Sequence, residues 1–512
     1  MIRFMQDIPF LWTRKFVYVL MLLILFFTAC KKEDQPGPPA PAEGTRLQLS
    51  LDSLYLYAKE TYLWYEALPD YHQFNPRSYA GSGSDLSDLR RELNALTALA
   101  INPQTQKPYE YRSGDDRPLY SYLAAGNIIT GRRAAVDMEG TGNDMGLGLS
   151  LLTENSVYVS YVEAGSPAAE AGIKRGMRVT AIDGVQVPLN NNIIQELLAG
   201  TALGIHLQKQ SGESFHVTLH PKVYHAAPVF KSAILAAGGR KVGYVALARF
   251  SALLRAKTSI EAVFNQFANE GVNSLIVDLR YNNGGYVETA EYVANLMAPP
   301  AIHGAVMYEE HYNTLLQQGK APILQSIPYL DNNHQPVYIN GRKATYADVD
   351  FSVARNTYRF AKKGSFPGSR SIVFIVSGIT ASASELLINS FKPYADVKLV
   401  GSKTYGKPVG YFGIGIDVFT VHLSQFRILN AEKKGDYYEG MPVDFPGADD
   451  VTKDFGDPEE SCLAKALSYI NGAALRSAAV VLSPLENTSW KQGQRTERWA
   501  ISGMAENRLK LR

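Results

Sequence analysis

The sequence predicts a multidomain α/β protein: an α/β core rich in parallel strands, preceded by a β-rich domain and a small helical domain. Three observations predict it. Continuous apolar runs that end in polar or glycine residues and lead into helical patterns occur at "SLIVDLRYNNGGYVETAEYVANLM" and again at "SIVFIVSGITASASELLINSFKPYA". Each reads as buried strand, turn and crossover helix. Short alternating segments with glycine turns fill residues 140–225, and apolar or aromatic residues at helical spacing fill "LQLSLDSLYLYAKETYLWYEALPD" and "DLSDLRRELNALTAL".

At the amino end, Arg3, Arg14 and Lys15 precede an apolar run from Phe16 to Ala29 that closes in small residues before Cys30. This is the layout of a secretory signal, and the run is short for a spanning helix. It resembles a bacterial lipoprotein signal, which implies that residues 1–29 are removed and that Cys30 carries the lipid. Residues 30–45, charged and then rich in Pro and Gly, read as a disordered tether. The "KKED" after Cys30 resembles the export signal of surface lipoproteins in the Bacteroidetes. The expected location is therefore the bacterial cell envelope, as an outer-membrane lipoprotein facing the periplasm or the surface.

The composition limits the partners. The 512 residues are 46% hydrophobic and 20% charged, ordinary globular material with room for several domains. Lys and Arg total 51 against 49 Asp and Glu, with no basic block interleaved with aromatics, so no nucleic-acid partner is expected. The two cysteines, Cys30 and Cys462, build neither a disulfide framework nor a zinc cluster, and no metal or cofactor is expected.

Residues 46–130 read as the helical domain, with Tyr55, Tyr57, Tyr62, Trp64 and Tyr65 as core. Residues 131–225 resemble a PDZ domain through the Gly-Leu-Gly-Leu turn at 146–149, "GSPAAEAGIKRGMRVTAIDG", and the amphipathic "NNIIQELLAG". The resemblance implies β-augmentation: a peptide C-terminus pairs with the strand after the turn while the amides of Leu147, Gly148 and Leu149 receive its carboxylate. Side-chain choice would fall to the helix from Ile193 to Leu198. His216 and His220 read as one solvent-facing row of a strand rather than a metal pair.

Residues 226–475 form the core, with 300–370 as an insertion that would cap the cleft and 476–512 as a tail. Sites on parallel sheets gather at the carboxyl ends of strands, where both "NNGG" and "TASAS" fall. Ser382 lies at such a strand-to-helix turn, where its hydroxyl can stand clear of the sheet and the Ala383 amide can face a developing oxyanion. A serine hydroxyl needs a base, for which His, Lys or another carboxylate brought back by the fold are candidates; the next strand-like segment ends in "GSKTYGKPVG", which places Lys407 25 residues on.

These segments resemble the C-terminal processing peptidases, the Ser/Lys family that includes tail-specific protease. "TASASE" and "TYGK" match that family's nucleophile and lysine segments with their spacing, "DLRYNNGG" at 278–285 matches its glycine motif, and "GMPVDFPGADD" its closing segment. The resemblance spans roughly residues 140–470. It implies a crotonase-like peptidase core, Ser382 as nucleophile, Lys407 as general base, and amides of Ala383 and of the pair Gly284 and Gly285 as the oxyanion hole. Where many members carry an orienting Gln or Glu, four residues after the lysine, this chain has Tyr411; either the phenol orients the amine or another group does.

The lysine must be neutral to act, which means lowering its pKa from about 10.4 to about 7.5, roughly 4 kcal/mol of desolvation against apolar walls. The expected activity is a serine endopeptidase acting on proteins or peptides, near their C-termini. The alternatives are a catalytically silent peptide-binding lipoprotein and a Ser–His arrangement using His422. No G-x-S-x-G elbow and no H-E-x-x-H occurs.

Overall fold

The computed structural model describes residues 42–111, 117–125, 136–153, 156–187, 200–331, 335–472 and 509–512. The signal with Cys30, most of the tether, the Ile193–Leu198 helix and most of the tail lie outside the described residues. No described helix is long and apolar enough to cross a membrane.

Helix α1 (Arg46–Thr61) begins at a reciprocal cap: Gln48 N–H donates to Thr45 Oγ1 while Thr45 N–H donates to Gln48 Oε1. Its stripe Leu51, Leu54, Tyr55 and Ala58 is buried, as are Leu89, Leu93 and Leu96 of α2 (Asp85–Thr97). The helical stretch expected over residues 46–130 ends at Thr97. Pro103, Pro108 and Pro118 lack the N–H that a helix would need; Ile101–Asn102 and Lys107–Pro108 pair as a short antiparallel hairpin, and β1 (Tyr122–Ala125) follows. Leu51, Leu54, Leu89 and Leu93 share one apolar cluster with Phe264, Leu387 and Phe412 of the α/β core, so these helices complete the core's packing.

The β-rich domain is an antiparallel sheet of β2 (Leu147–Thr153), β3 (Ser156–Val162), β4 (Arg178–Ile182), β5 (Leu203–Gln208) and β6 (Ser214–Leu219), in spatial order β6-β5-β4-β3-β2. Leu149, Val157, Val179, Ile205 and Leu207 bury a core separate from that of the larger domain. His216 faces His206 across the strand pair, and both are exposed along with His220.

The core sheet runs β7 (Val229–Ala237), β8 (Arg240–Leu247), β9 (Ser274–Asp278), β12 (Ser371–Val376), β13 (Asp396–Gly401), β18 (Phe445–Pro446). Only the β7–β8 pair is antiparallel. Alternation explains the unbroken apolar runs. Leu275, Val277, Ile372 and Phe374 pack under α3 (Leu253–Asn269), α4 (Val287–Met297) and α5 (Ala383–Phe391). Ile276, Val373 and Ile375 point the other way, onto Leu463 and Ala466 of α6 (Ser461–Ile470). The carboxyl ends of β9 and β12 deliver the glycine turn and the serine turn side by side.

Two small sheets carry the lysine loop. β14 (Val409–Gly410) pairs with β17 (Phe426–Leu429), which pairs with β10 (Val306–Tyr312) and so with β11 (Thr357–Arg359). β15 (Gly413–Ile416) and β16 (Phe419–His422) continue into β1 from the amino-terminal segment, with His422 opposite Tyr122. The 300–370 segment leans on α1: Tyr57 Oη and Ser326 Oγ are 2.9 Å apart, and Asn313 Nδ2 donates to the carbonyls of Glu60 and Tyr62.

Candidate active site

The stretch "SGITASAS" holds four hydroxyls, and the fold uses three of them as staples. Ser377 Oγ donates to the Arg280 carbonyl at 2.5 Å, Thr380 Oγ1 to Leu279 at 2.8 Å, and Ser384 Oγ to Asn282 at 3.1 Å. All three acceptors lie on the glycine loop, so the serine turn is sewn to its neighbour. Ser382 Oγ alone is buried with no hydrogen-bond partner among the described residues. Its backbone sits at φ 62° and ψ −116°, a left-handed conformation that a serine adopts only where surrounding contacts enforce it.

One carboxylate enforces it. Glu385 Oε2 accepts the Ser382 N–H at 3.0 Å and the Lys407 N–H at 2.8 Å, while Oε1 accepts Thr404 Oγ1 at 2.6 Å and the Gly406 N–H at 2.8 Å. Thus Glu385 ties the serine turn and the lysine loop, 25 residues apart in sequence, to one side chain. Burial pushes its carboxyl up, and the four donors work against that shift. Glu385→Gln keeps the shape but turns an NH2 toward two donors. We expect kcat to fall about 100-fold, the order of loss for a small misplacement of reacting groups, measured beside parent protein of equal concentration.

Lys407 is 6% exposed, and its Nζ lies 5.0 Å from the centroid of the Tyr411 ring. Tyr120 Oη donates to the Gly406 carbonyl at 2.5 Å, and Tyr411 Oη lies 3.2 Å from Tyr122 Oη. His422 is close enough to feel the lysine: burial and the Lys407 charge lower its pKa from 6.5 to about 4. A histidine so lowered binds no proton in the folded state where the unfolded chain already does. Its contribution to stability is therefore complete above pH of about 6.5 and is lost as pH falls toward 4, about 3 kcal/mol in all. His422→Phe should lose less urea resistance than the parent between pH 7 and pH 4.5.

The glycine loop is held from below. Arg280 meets Asp278 through Nε at 3.0 Å and Glu460 through both terminal nitrogens at 2.8 Å, with Asp449 also at 2.6 Å. Arg175 of the β-rich domain reaches the same Asp449 at 2.6 Å. Burial alone would raise the Asp449 carboxyl; Arg175 and Arg280 overcome this and hold it well below the usual range. Above this anchor, a side chain on Gly284 would put its Cβ 3.0 Å from Ser382 Cβ and 3.2 Å from the Ala383 nitrogen. At φ +106°, a conformation other residues rarely adopt, glycine makes that close approach without strain. The Gly284 N–H donates to Asn282 Oδ1 at 2.9 Å, which leaves the amides of Gly285 and Ala383 as candidate anion donors.

A model of peptidase family S41 matches residues 241–422, the stretch holding the glycine loop, Ser382 and Lys407. Over those residues the chain is similar to the S41 peptidases. A PDZ domain model matches residues 158–203. Among curated proteins, the carboxyl-terminal-processing protease of Synechocystis sp. is 27% identical over 285 residues, covering 52% of this chain and 54% of that protein. The chloroplastic carboxyl-terminal-processing peptidase 3 of Arabidopsis thaliana is 27% identical over 286 residues, covering 52% and 46%. The chain spans about half the length of the curated relatives it matches. A crystal structure of a Bacteroides fragilis protein assigned to the S41 proteases aligns over 85% of this chain and 99% of that one, at 20% identity and a TM-score of 0.54. That likeness is one of fold: a multidomain α/β S41 architecture with a PDZ domain.

In the PDZ domain, Leu147, Gly148 and Leu149 start β2, the edge strand of the sheet, whose outer side has no strand partner among the described residues. Among the described residues no group of three or more His, Cys, Asp or Glu side chains could hold a metal. The sequence reading missed Glu385 as a clamp, although Ser382-x-x-Glu385 has the spacing of a capping box and could have drawn attention to it. It also missed Tyr122, for which no local signal exists.

Proposed function

We propose that this chain is a serine endopeptidase with a Ser382–Lys407 dyad that cleaves proteins or peptides, near their C-termini, in the bacterial cell envelope. The observation that carries the reading is the contrast among the four hydroxyls: three are spent on staples, and Ser382 Oγ is held in a strained turn without a partner. In this reading Lys407 Nζ takes the Ser382 proton as Oγ attacks the peptide carbonyl, and the amides of Ala383 and Gly285 receive the oxyanion, the Gly284 amide being held by Asn282. The protonated lysine then gives its proton to the leaving amine, and a water hydrolyses the acyl-enzyme with the lysine again as base. Tyr411 takes the orienting position through its ring face rather than through a carboxylate or amide.

Substrate capture rests on the PDZ edge strand, where Leu147, Gly148 and Leu149 would hold a C-terminal carboxylate while the peptide adds to β2. Ser382 has no solvent exposure, so entry of a substrate requires the cover over the turn to shift. The crotonase-like description of the core and lipid anchoring through Cys30 belong to the same proposal. The test is cleavage of a mixture of peptides with free and amidated C-termini, by parent and by Ser382→Ala protein. Products made by the parent alone, preferentially from free C-termini, support the reading; bound but uncleaved peptides from both would leave a peptide-binding lipoprotein in its place.

A further inference from the structure

The lysine loop is walled by three rings from three places in the chain. Tyr411 turns its face to Lys407 Nζ, with the centroid 5.0 Å away. His422 stacks on Tyr122 at 4.4 Å and 13°, and meets Tyr411 edge-on at 5.0 Å and 71°. Tyr122 closes the triangle with its phenol 3.2 Å from that of Tyr411. The register of β1 on β16 sets Tyr122 directly opposite His422.

This arrangement answers a chemical need. A base that takes the serine proton becomes a buried cation, and an aromatic face stabilises such a cation only if the ring is kept face-on. A tyrosine ring can turn about its own side-chain bonds. The Tyr122 phenol and the His422 edge hold this one from two sides. His422 suits the position only while neutral, because a second cation there would oppose proton transfer to the lysine.

We propose that Tyr122, from the strand that precedes the PDZ domain, and His422 are positioning residues that keep the Tyr411 ring face-on to Lys407. The proposal rests on Lys407 being the base. It makes the amino-terminal segment part of the active site rather than a neighbour of it. The other titratable groups around the loop do different work: Glu385 holds the Lys407 backbone, Tyr120 the Gly406 carbonyl, and Tyr405 the Leu119 carbonyl, while Tyr437 lies beside Glu385.

The test compares Tyr122→Phe and His422→Phe with the parent, as full chains, on a peptide the parent cleaves. Both replacements keep a ring of similar size. The expected result is a kcat lower by about tenfold with KM within about twofold, from the loss of a cation–π contact in the charged state. The acid limb of kcat/KM should also move to lower pH, since a protonated lysine with less support gives up its proton more readily. Tyr122→Phe and Tyr411→Phe should be non-additive, because both delete the same phenol–phenol contact. Parental kcat and an unmoved acid limb in both single variants would overturn the proposal, as would losses that follow the melting temperature alone. If Tyr122→Phe does not fold, His422→Phe decides. Lys407→Ala run alongside separates the two readings: an active Lys407→Ala sinks the base assignment, whereas an inactive one with parental Tyr122→Phe and His422→Phe sinks only the positioning role.

Discussion

Ser382→Ala is expected to abolish peptide cleavage, a loss of about 10⁴-fold or more as for removal of other serine nucleophiles, while Ser384→Ala keeps most of it. The two serines are two positions apart and equally buried, so the contrast is a stringent one. Their hydrogen bonds separate them. Ser384 Oγ is engaged with the Asn282 carbonyl, and its removal costs one buried hydrogen bond, about 1 kcal/mol of stability. Ser382 Oγ makes no full hydrogen bond in the resting protein, only the loose capping-box approach of the Glu385 N–H, so Ser382→Ala should fold about as well as the parent. Equal loss of activity in both variants, with unfolding midpoints unchanged, would refute the assignment of Ser382.

Lys407→Arg is expected to be inactive at every pH. Arginine keeps the charge and the cation–π contact with Tyr411 but has no accessible neutral form, so it cannot take the serine proton. In the parent, activity should rise as pH climbs through the lysine's own transition and persist above neutrality, because deprotonation creates the active form. His422 cannot produce such a rise near neutral pH. Its pKa is already down at about 4, and it stays neutral from there upward. A Lys407→Arg protein that folds normally and cleaves at a substantial fraction of the parent rate would end the Ser–Lys reading.

Much of this architecture was legible because the physics is local or periodic. The strands Ser274–Asp278 and Ser371–Val376 are buried on both faces, so they read as unbroken apolar runs, and the turns after them announced themselves by composition. Ser382 and Lys407 stood out through short segments with a fixed separation. What escaped is what the fold brings from far away. The three staples join residues about a hundred positions apart, so the same hydroxyls that suggested a crowded nucleophile turn were holding the glycine loop. Tyr122 reaches Tyr411 across 289 positions, and nothing near either residue signals the other. The end of the helices at Thr97 was signalled by the prolines that follow, at 103, 108 and 118, but the helical patterns before them dominate the segment.

The Arg175–Asp449–Arg280 network shows the same long reach. It fastens the PDZ domain to the base of the glycine loop through one shared carboxylate, in a site where Glu460 and Asp278 are also buried. Removing one member of such a group leaves the others without compensation, which is far costlier than the pair is worth. The geometry of the candidate anion donors thus depends on Arg175, Asp449 and Glu460, which lie outside the Ser382 and Lys407 segments.

The most direct test of the central claim is labelling with a fluorophosphonate, which reports the activated serine without knowledge of the substrate. Peptide mapping of the labelled parent should find the adduct on Ser382, and Lys407→Ala should label at least about 100-fold more slowly while folding normally. An adduct on any other serine, or an undiminished labelling rate in Lys407→Ala, would contradict the account.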